Sequence, residues 1–197
     1  MTAQRLLLAV LPPVLFGVVF LGLWEWLVTA NDISPLLLPA PSAIWQSFVT
    51  DWSLILTAAR NTGVTALVGL AVGTVAAVMG GLIAARLGVL DQMITPLVAA
   101  LATMPIVALA PVMNTLFGAT SPVPRRIVVA ITAFVPIFMN VVRGLKRLAP
   151  VHAELMASYA ASGTAVLRVI RIPTALPYFF TGLRIAASLS VIAAVVT

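Results

Sequence analysis

The sequence predicts an all-α, polytopic membrane helix bundle, and three observations carry that prediction. Of its 197 residues, 62% are hydrophobic and 8% charged, against roughly 25% charged in an ordinary soluble domain. Mean hydropathy is +1.16. The apolar runs also outlast the 8–20 residues of a typical core helix. About five of them have the length needed to cross a hydrocarbon layer ~30 Å thick.

The first run, Leu6 to about Thr29, spans roughly 35 Å as a helix. Arg5 precedes it and Val28-Thr29-Ala30 resembles a small-residue cleavage site, but the run exceeds the 7–15 residues of a signal core. A retained first span is therefore expected. Trp24 and Trp26 mark its interface, and Pro12-Pro13 either kink its entry half or delay its start. Asn31 to Pro35 reads as a turn-rich exit. Ser42 then caps a short interfacial helix through Asp51, with Ile44, Trp45, Phe48 and Val49 on one side.

The second span, about Leu54 to Arg86, carries Gly69, Gly73, Ala77, Gly81 and Ala85 four apart, a smooth face for helix packing. Val89 to Phe117 is interrupted by Pro96, Pro105 and Pro111, so one straight helix is not expected there. The fourth span, about Ile127 to Val142, contains Pro136 and Asn140 and ends on Arg143, Lys146 and Arg147. Residues 151–172 are polar, and a last apolar run covers Thr174 to Thr197. With no internal repeat, residues 1–197 read as one transmembrane domain holding a polar loop at 150–173.

The net charge of +6 follows topology rather than nucleic acid, because the basic residues flank apolar runs and form no stripe interleaved with aromatics. If the spans alternate, Arg5, Arg86, Arg143, Lys146, Arg147, Arg168 and Arg171 share one side and only Arg125 and Arg126 take the other. The positive-inside rule then makes the N-terminus and the 151–172 loop cytoplasmic. The absence of cysteine excludes disulfides and thiolate chemistry. His152 is the only histidine and the acids are scattered, so neither a metal centre nor a carboxylate pair has material. No enzyme and no bound cofactor are expected.

The polar loop has an informative spacing. Glu154, Ala160, Ile170 and Ile172-Pro173 occupy the positions of Glu-Ala-Ala, three residues, Gly, nine residues, Ile, one residue, Leu-Pro. In this the sequence resembles the binding-protein-dependent permeases of ATP-binding-cassette importers, the type I permease fold. Leu38 to Ser42, Pro105 to Pro111, Phe134 to Asn140 and Phe180 to Ala186 extend the resemblance, toward the branch that imports sulfonates, taurine, nitrate and vitamin or pyrimidine precursors. Leu155 and Met156 replace the two alanines, and Ala160 replaces the glycine. Alanine tolerates a positive φ poorly, so the loop either bends at Gly163 or stays helical enough to accept Ala160.

The resemblance implies that Glu154, Leu155, Met156, Tyr159, Ala160, Ala161, Gly163, Ile170, Ile172 and Pro173 form a loop docking on a separate ATPase. Val151, Leu155 and Tyr159 would share one stripe. It implies ATP and Mg used by that ATPase, a periplasmic or lipid-anchored solute-binding protein, a second permease copy and a bacterial inner-membrane location. The solute would be small and polar, a sulfonate, nitrate-like anion or vitamin or pyrimidine precursor. The family pattern continues into a sixth span, so the chain reads as C-terminally truncated. Among intramembrane polar residues, Asn114 and Asn140 are the expected pathway pair, beside proline-interrupted helix; Arg60, Asn61 and Arg184 are explained by snorkelling or interhelical bonding. The alternative, ATP-independent secondary transport, would favour membrane carboxylates for coupling.

Overall fold

A chain inside a bilayer has no water for its backbone, so each spanning segment must close its hydrogen bonds internally. The computed structural model describes residues 3–118 and 120–197, and every regular element among them is helical. The chain divides into two compact units, Met1–Ala59 and Arg60–Thr197, where the sequence predicts one domain.

The first unit holds α1 (Ala3–Ala30), α2 (Pro41–Thr50) and the opening turns of α3 (Trp52–Arg86). The helix α1 continues through Pro12-Pro13; the side chain of Arg5 lies outside the described residues. Asp32 ends it with a φ of 47°, and the Ile33 N–H donates to the Val28 carbonyl at 3.1 Å. Ser42 does not cap α2. Ala40 holds the extended cap position and Pro41 opens the helix, which needs no N–H there. The Ser42 N–H instead donates to Glu25 Oε2 at 3.0 Å and its hydroxyl to Oε1 at 2.7 Å. A carboxylate from α1 thus meets the positive end of α2 and accepts a donor that the helix itself leaves unpaired. Trp45 stacks on Phe48 with ring centroids 5.7 Å apart, Phe48 meets Trp52 edge to face at 5.1 Å, and all three remain exposed.

The second unit holds the rest of α3, then α4 (Gly88–Ala102), α5 (Ile106–Phe117), α6 (Val123–Lys146), α7 (Pro150–Ser158) and α8 (Gly163–Val166). A π turn over Leu167–Arg171 then leads into α9 (Ile172–Val196). Among the described residues, four helical stretches are long and apolar enough to cross a membrane, Val10–Ala30, Trp52–Arg86, Val123–Lys146 and Gly163–Val196. The predicted third run is divided between α4 and α5 at Thr103-Met104-Pro105, while Pro96 and Pro111 are accommodated inside helices. The last span starts eleven residues before Thr174, at Gly163, because a helix that leaves the membrane with polar side chains loses its hydropathy signal but not its backbone bonds.

At the centre of this unit lies α6, with Val128, Val129, Ile137, Phe138 and Leu145 fully buried. Its neighbours approach through residues that lack a side chain. A Cβ on Gly69 would come within 2.5 Å of Val129, and one on Gly73 would run into the Ala130 carbonyl and Ala133. From the other side, a Cβ on Gly182 of α9 would meet the Pro136 carbonyl at 2.9 Å, and one on Gly144 of α6 would meet Ala175 at 2.8 Å. Lipid is as apolar as leucine, so burying more hydrocarbon between helices gains little; close contact and dispersion hold them.

The buried row on α3 reads Ala66, Gly69, Gly73, Ala77, Gly81 and Ala84. Ala85, the last of the predicted face, is only half-buried. A strict four-residue step rotates about 40° further around the helix each time, so the row must shorten to three residues to stay on α6.

Two substitutions on α3 separate packing from helix propensity. Gly73→Ala should destabilise the detergent-purified protein by about 1–3 kcal/mol through overpacking. Gly63→Ala, with nothing within 4 Å of the added methyl, should be neutral or gain up to about 1 kcal/mol. Thermal or SDS unfolding reads the difference.

Candidate functional site: the short helix after α6

The chain leaving α6 is fixed on two sides. The Lys146 ammonium, in the last turn of α6, hydrogen-bonds the Asp91 carboxylate in the first turn of α4. Thr95 Oγ1 donates to the other Asp91 oxygen at 2.9 Å. Asp91 is 8% exposed, so the pair is partly withdrawn from water, where removing one partner costs more than at a surface. Arg147 donates to the Tyr178 hydroxyl on α9, and its guanidinium carbon lies 5.9 Å from that ring's centroid, within cation–π range. Neither contact follows from the sequence, because each joins residues far apart in the chain. The only sequence cue is Asp91 itself, an acid at the edge of an apolar run.

Three residues on, Ala149 is extended and Pro150 begins α7. Val151, Leu155 and Tyr159 form one stripe at 66%, 49% and 76% exposed. Glu154 and His152 are exposed as well. Met156 and Ala161 are half-buried and face inward, onto a recess of ≈ 650 Å³ that Arg86, Leu167 and Arg171 also line.

The helix ends at Ser158 with Tyr159 as its cap, and Ala160 follows with a φ of 49°. The Ala160 N–H donates to the Ala157 carbonyl at 2.9 Å and the Ala161 N–H to the Met156 carbonyl at 3.0 Å. These two bonds are the 5→2 and 6→1 pair of a Schellman motif, with Ala160 at the left-handed position. Both sequence alternatives are thereby corrected: Gly163 is not the left-handed residue, and Ala160 adopts that conformation despite its methyl. Strain of roughly 1–2 kcal/mol attends an L-residue there.

Ser162 follows in extended conformation, and its hydroxyl accepts the Ala165 N–H at 3.3 Å. Gly163 heads α8. Ile170 lies half-buried in the π turn, and Ile172 and Pro173 open α9. Pro173 supplies no N–H; just before it, the Ile172 N–H reaches back five residues to the Leu167 carbonyl, a π bulge. The ten residues predicted as one docking loop therefore separate. Glu154, Leu155 and Met156 belong to α7, and Tyr159, Ala160 and Ala161 to the turn that closes it. Gly163, Ile170, Ile172 and Pro173 belong to the helix that continues as the last span.

The asparagines stand apart from this end. Asn140 Nδ2 donates to the Pro136 carbonyl one turn earlier at 2.8 Å, and its Cβ would meet a methyl on Gly182 at 3.1 Å. Asn114 is half-buried on α5. A recess of ≈ 340 Å³ lined by Leu101, Met104, Thr132 and Pro136 includes neither of them. Among the described residues, no three His, Asp or Glu side chains gather as metal ligands.

Comparison with known proteins places this geometry in a family context. The family described as "Binding-protein-dependent transport system inner membrane component" matches residues 77–197. The formylaminopyrimidine transport permease protein ThiX of Halalkalibacterium halodurans is 32% identical over 188 residues, covering 94% of this chain and 74% of the relative. The bicarbonate transport system permease protein CmpB of Synechocystis is 30% identical over 92% of this chain and 68% of the relative. The taurine transport system permease protein TauC of Escherichia coli is 26% identical over 85% of this chain and 63% of the relative.

Ala160→Gly should relieve the left-handed strain and stabilise the end of α7 by about 1 kcal/mol, seen as slower hydrogen exchange at Ala161. Ala160→Val should do the reverse, since a β-branched residue fits that region worst. Equal exchange in all three forms would mean that residue 160 is not left-handed.

Proposed function

This chain belongs to the binding-protein-dependent transport system inner membrane component family, and on that footing we propose that it forms the translocation path of an ATP-driven importer and is moved by a separate ATPase through α7. The observation that carries the reading is the exposed stripe of Val151, Leu155 and Tyr159 on a helix pinned at its root and closed by a Schellman turn. Force applied to such a helix moves the elements it is tied to, through α6 and the Lys146–Asp91 and Arg147–Tyr178 contacts.

ATP and Mg act in the ATPase, and this chain binds no cofactor. A periplasmic or lipid-anchored binding protein delivers the solute, and a second copy of the chain completes the path. The distribution of Lys and Arg supports a cytoplasmic N-terminus and a cytoplasmic α7. The solute is small and polar, in keeping with the formylaminopyrimidine, bicarbonate and taurine in the relatives' names. Asn114 and Asn140 remain the proposed pathway residues. Ion-coupled transport draws less support: Glu25 is engaged by Ser42 and Asp91 by Lys146, so neither carboxylate is free to carry a coupling proton or cation.

Co-expression with the cognate ATPase tests the docking. Tyr159→Ala combined with Leu155→Asp should cut ATPase co-purification at least tenfold, as truncation of an interface anchor worth about 2 kcal/mol does. Met156→Leu, on the inward side, should leave it unchanged. Undiminished capture by the double variant would overturn the α7 assignment.

A further inference from the structure

The recess behind α7 holds positive charge that no carboxylate among the described residues pairs with. Arg86, the last residue of α3, and Arg171, the last of the π turn, both line it, together with Thr164 and the apolar Leu148, Met156 and Leu167. Arg171 Nε is buried with no hydrogen-bond partner. The acids explain this. Of five in the sequence, Glu25, Asp32 and Asp51 belong to the first unit, and Asp91 is engaged by Lys146. Glu154 alone is left in the second unit, exposed on α7. Lys146–Asp91 is the one ion pair among the described residues. A buried guanidinium N–H without an acceptor is costly, so an acceptor from outside the chain is strongly favoured.

We propose that this recess binds a phosphate group at the membrane surface. A phosphate offers several oxygens, enough to accept from two guanidinium forks and a hydroxyl at once, which a single carboxylate does less well. At ≈ 650 Å³ the recess has room for more than the anion, and its apolar wall suits the glycerol end of an anionic phospholipid as readily as free phosphate suits its polar side. The site is separate from the ATPase-docking stripe, because Met156 and Ala157 face it and Leu155 and Tyr159 do not line it. That a bound phosphate braces α7 from behind rests on the docking reading; binding itself does not.

Native mass spectrometry of the detergent-purified chain, titrated with phosphatidylglycerol or phosphatidylcholine, and calorimetry with inorganic phosphate distinguish the sources. Selective retention of phosphatidylglycerol identifies a lipid site, and binding of inorganic phosphate without lipid selectivity identifies a soluble anion; either supports the proposal. The Arg86→Gln and Arg171→Gln double variant should lose at least fivefold of that binding, and Arg143→Gln, an exposed arginine outside the recess, should not.

Hydrogen exchange on the unaltered chain gives a second readout if the double variant does not fold. The bound probe should protect residues 163–171 and the end of α3. The proposal fails if the unaltered chain binds neither probe above phosphatidylcholine, if the folded double variant binds like the parent, or if protection falls elsewhere. Loss of ATPase capture by the double variant, with no phosphate binding by the parent, would put an acidic side chain of the ATPase in the recess and also overturn it. ATPase capture that survives while phosphate binding is lost separates failure of one site from failure of the other.

Discussion

The close contact of α6 with α3 and α9 is the constraint on which the second unit depends. In water, α6 would be driven inward by its hydrocarbon; in lipid that drive vanishes, and only proximity distinguishes a protein neighbour from an acyl chain. Gly69, Gly73 and Gly81 on α3, Gly182 on α9 and Gly144 on α6 supply the proximity by leaving out the atoms that would otherwise touch. Phe138 and Ile137 can then be fully enclosed within a few helices. The tolerance is correspondingly small, because most of these glycines face backbone or a β-carbon rather than the tip of a flexible side chain.

This tight centre gives the end of α6 its mechanical meaning. Lys146 and Arg147 tie the exit of α6 to α4 and α9 through polar contacts, and only two residues separate Arg147 from the helical start at Pro150. The proposed docking helix is therefore joined to a packed body by a very short, doubly braced lead. Its far end closes on a Schellman turn and the Ser162 cap before the chain re-enters a long helix. A flexible loop in this place would absorb displacement, whereas a helix braced in this way would, under the proposed docking, pass it on.

The architecture was legible in the sequence wherever one physical effect dominated. Long apolar runs located four spans, small residues four apart located most of the packing face, and the three prolines of the third run announced an interruption that falls at Pro105 rather than at Pro96 or Pro111. The spacing from Glu154 to Pro173 marked the segment that contains α7, but neither the conformation of its closing turn nor the point where the last helix begins. What escaped was competition between effects. Ser42 has the residue type of a cap, but a Glu25 carboxylate seventeen positions earlier takes its donors. The left-handed turn at Ala160 runs against the residue's own preference and is retained because two backbone bonds close around it. The beginning of the last helix was hidden because its polar turns lie where hydropathy reports loop. The Lys146–Asp91 and Arg147–Tyr178 contacts are long-range pairings that no local pattern encodes.

The chain has no cysteine, so single cysteines can be placed on α7 without background. In membrane vesicles containing the ATPase, a thiol-reactive bifunctional cross-linker should join the ATPase to Leu155→Cys and Tyr159→Cys but not to Met156→Cys or Ala161→Cys. Cross-linking from 156 or 161 as efficient as from 155 and 159, or none from 155 and 159, would contradict the account of α7 as a rigid helix docking through its outward stripe.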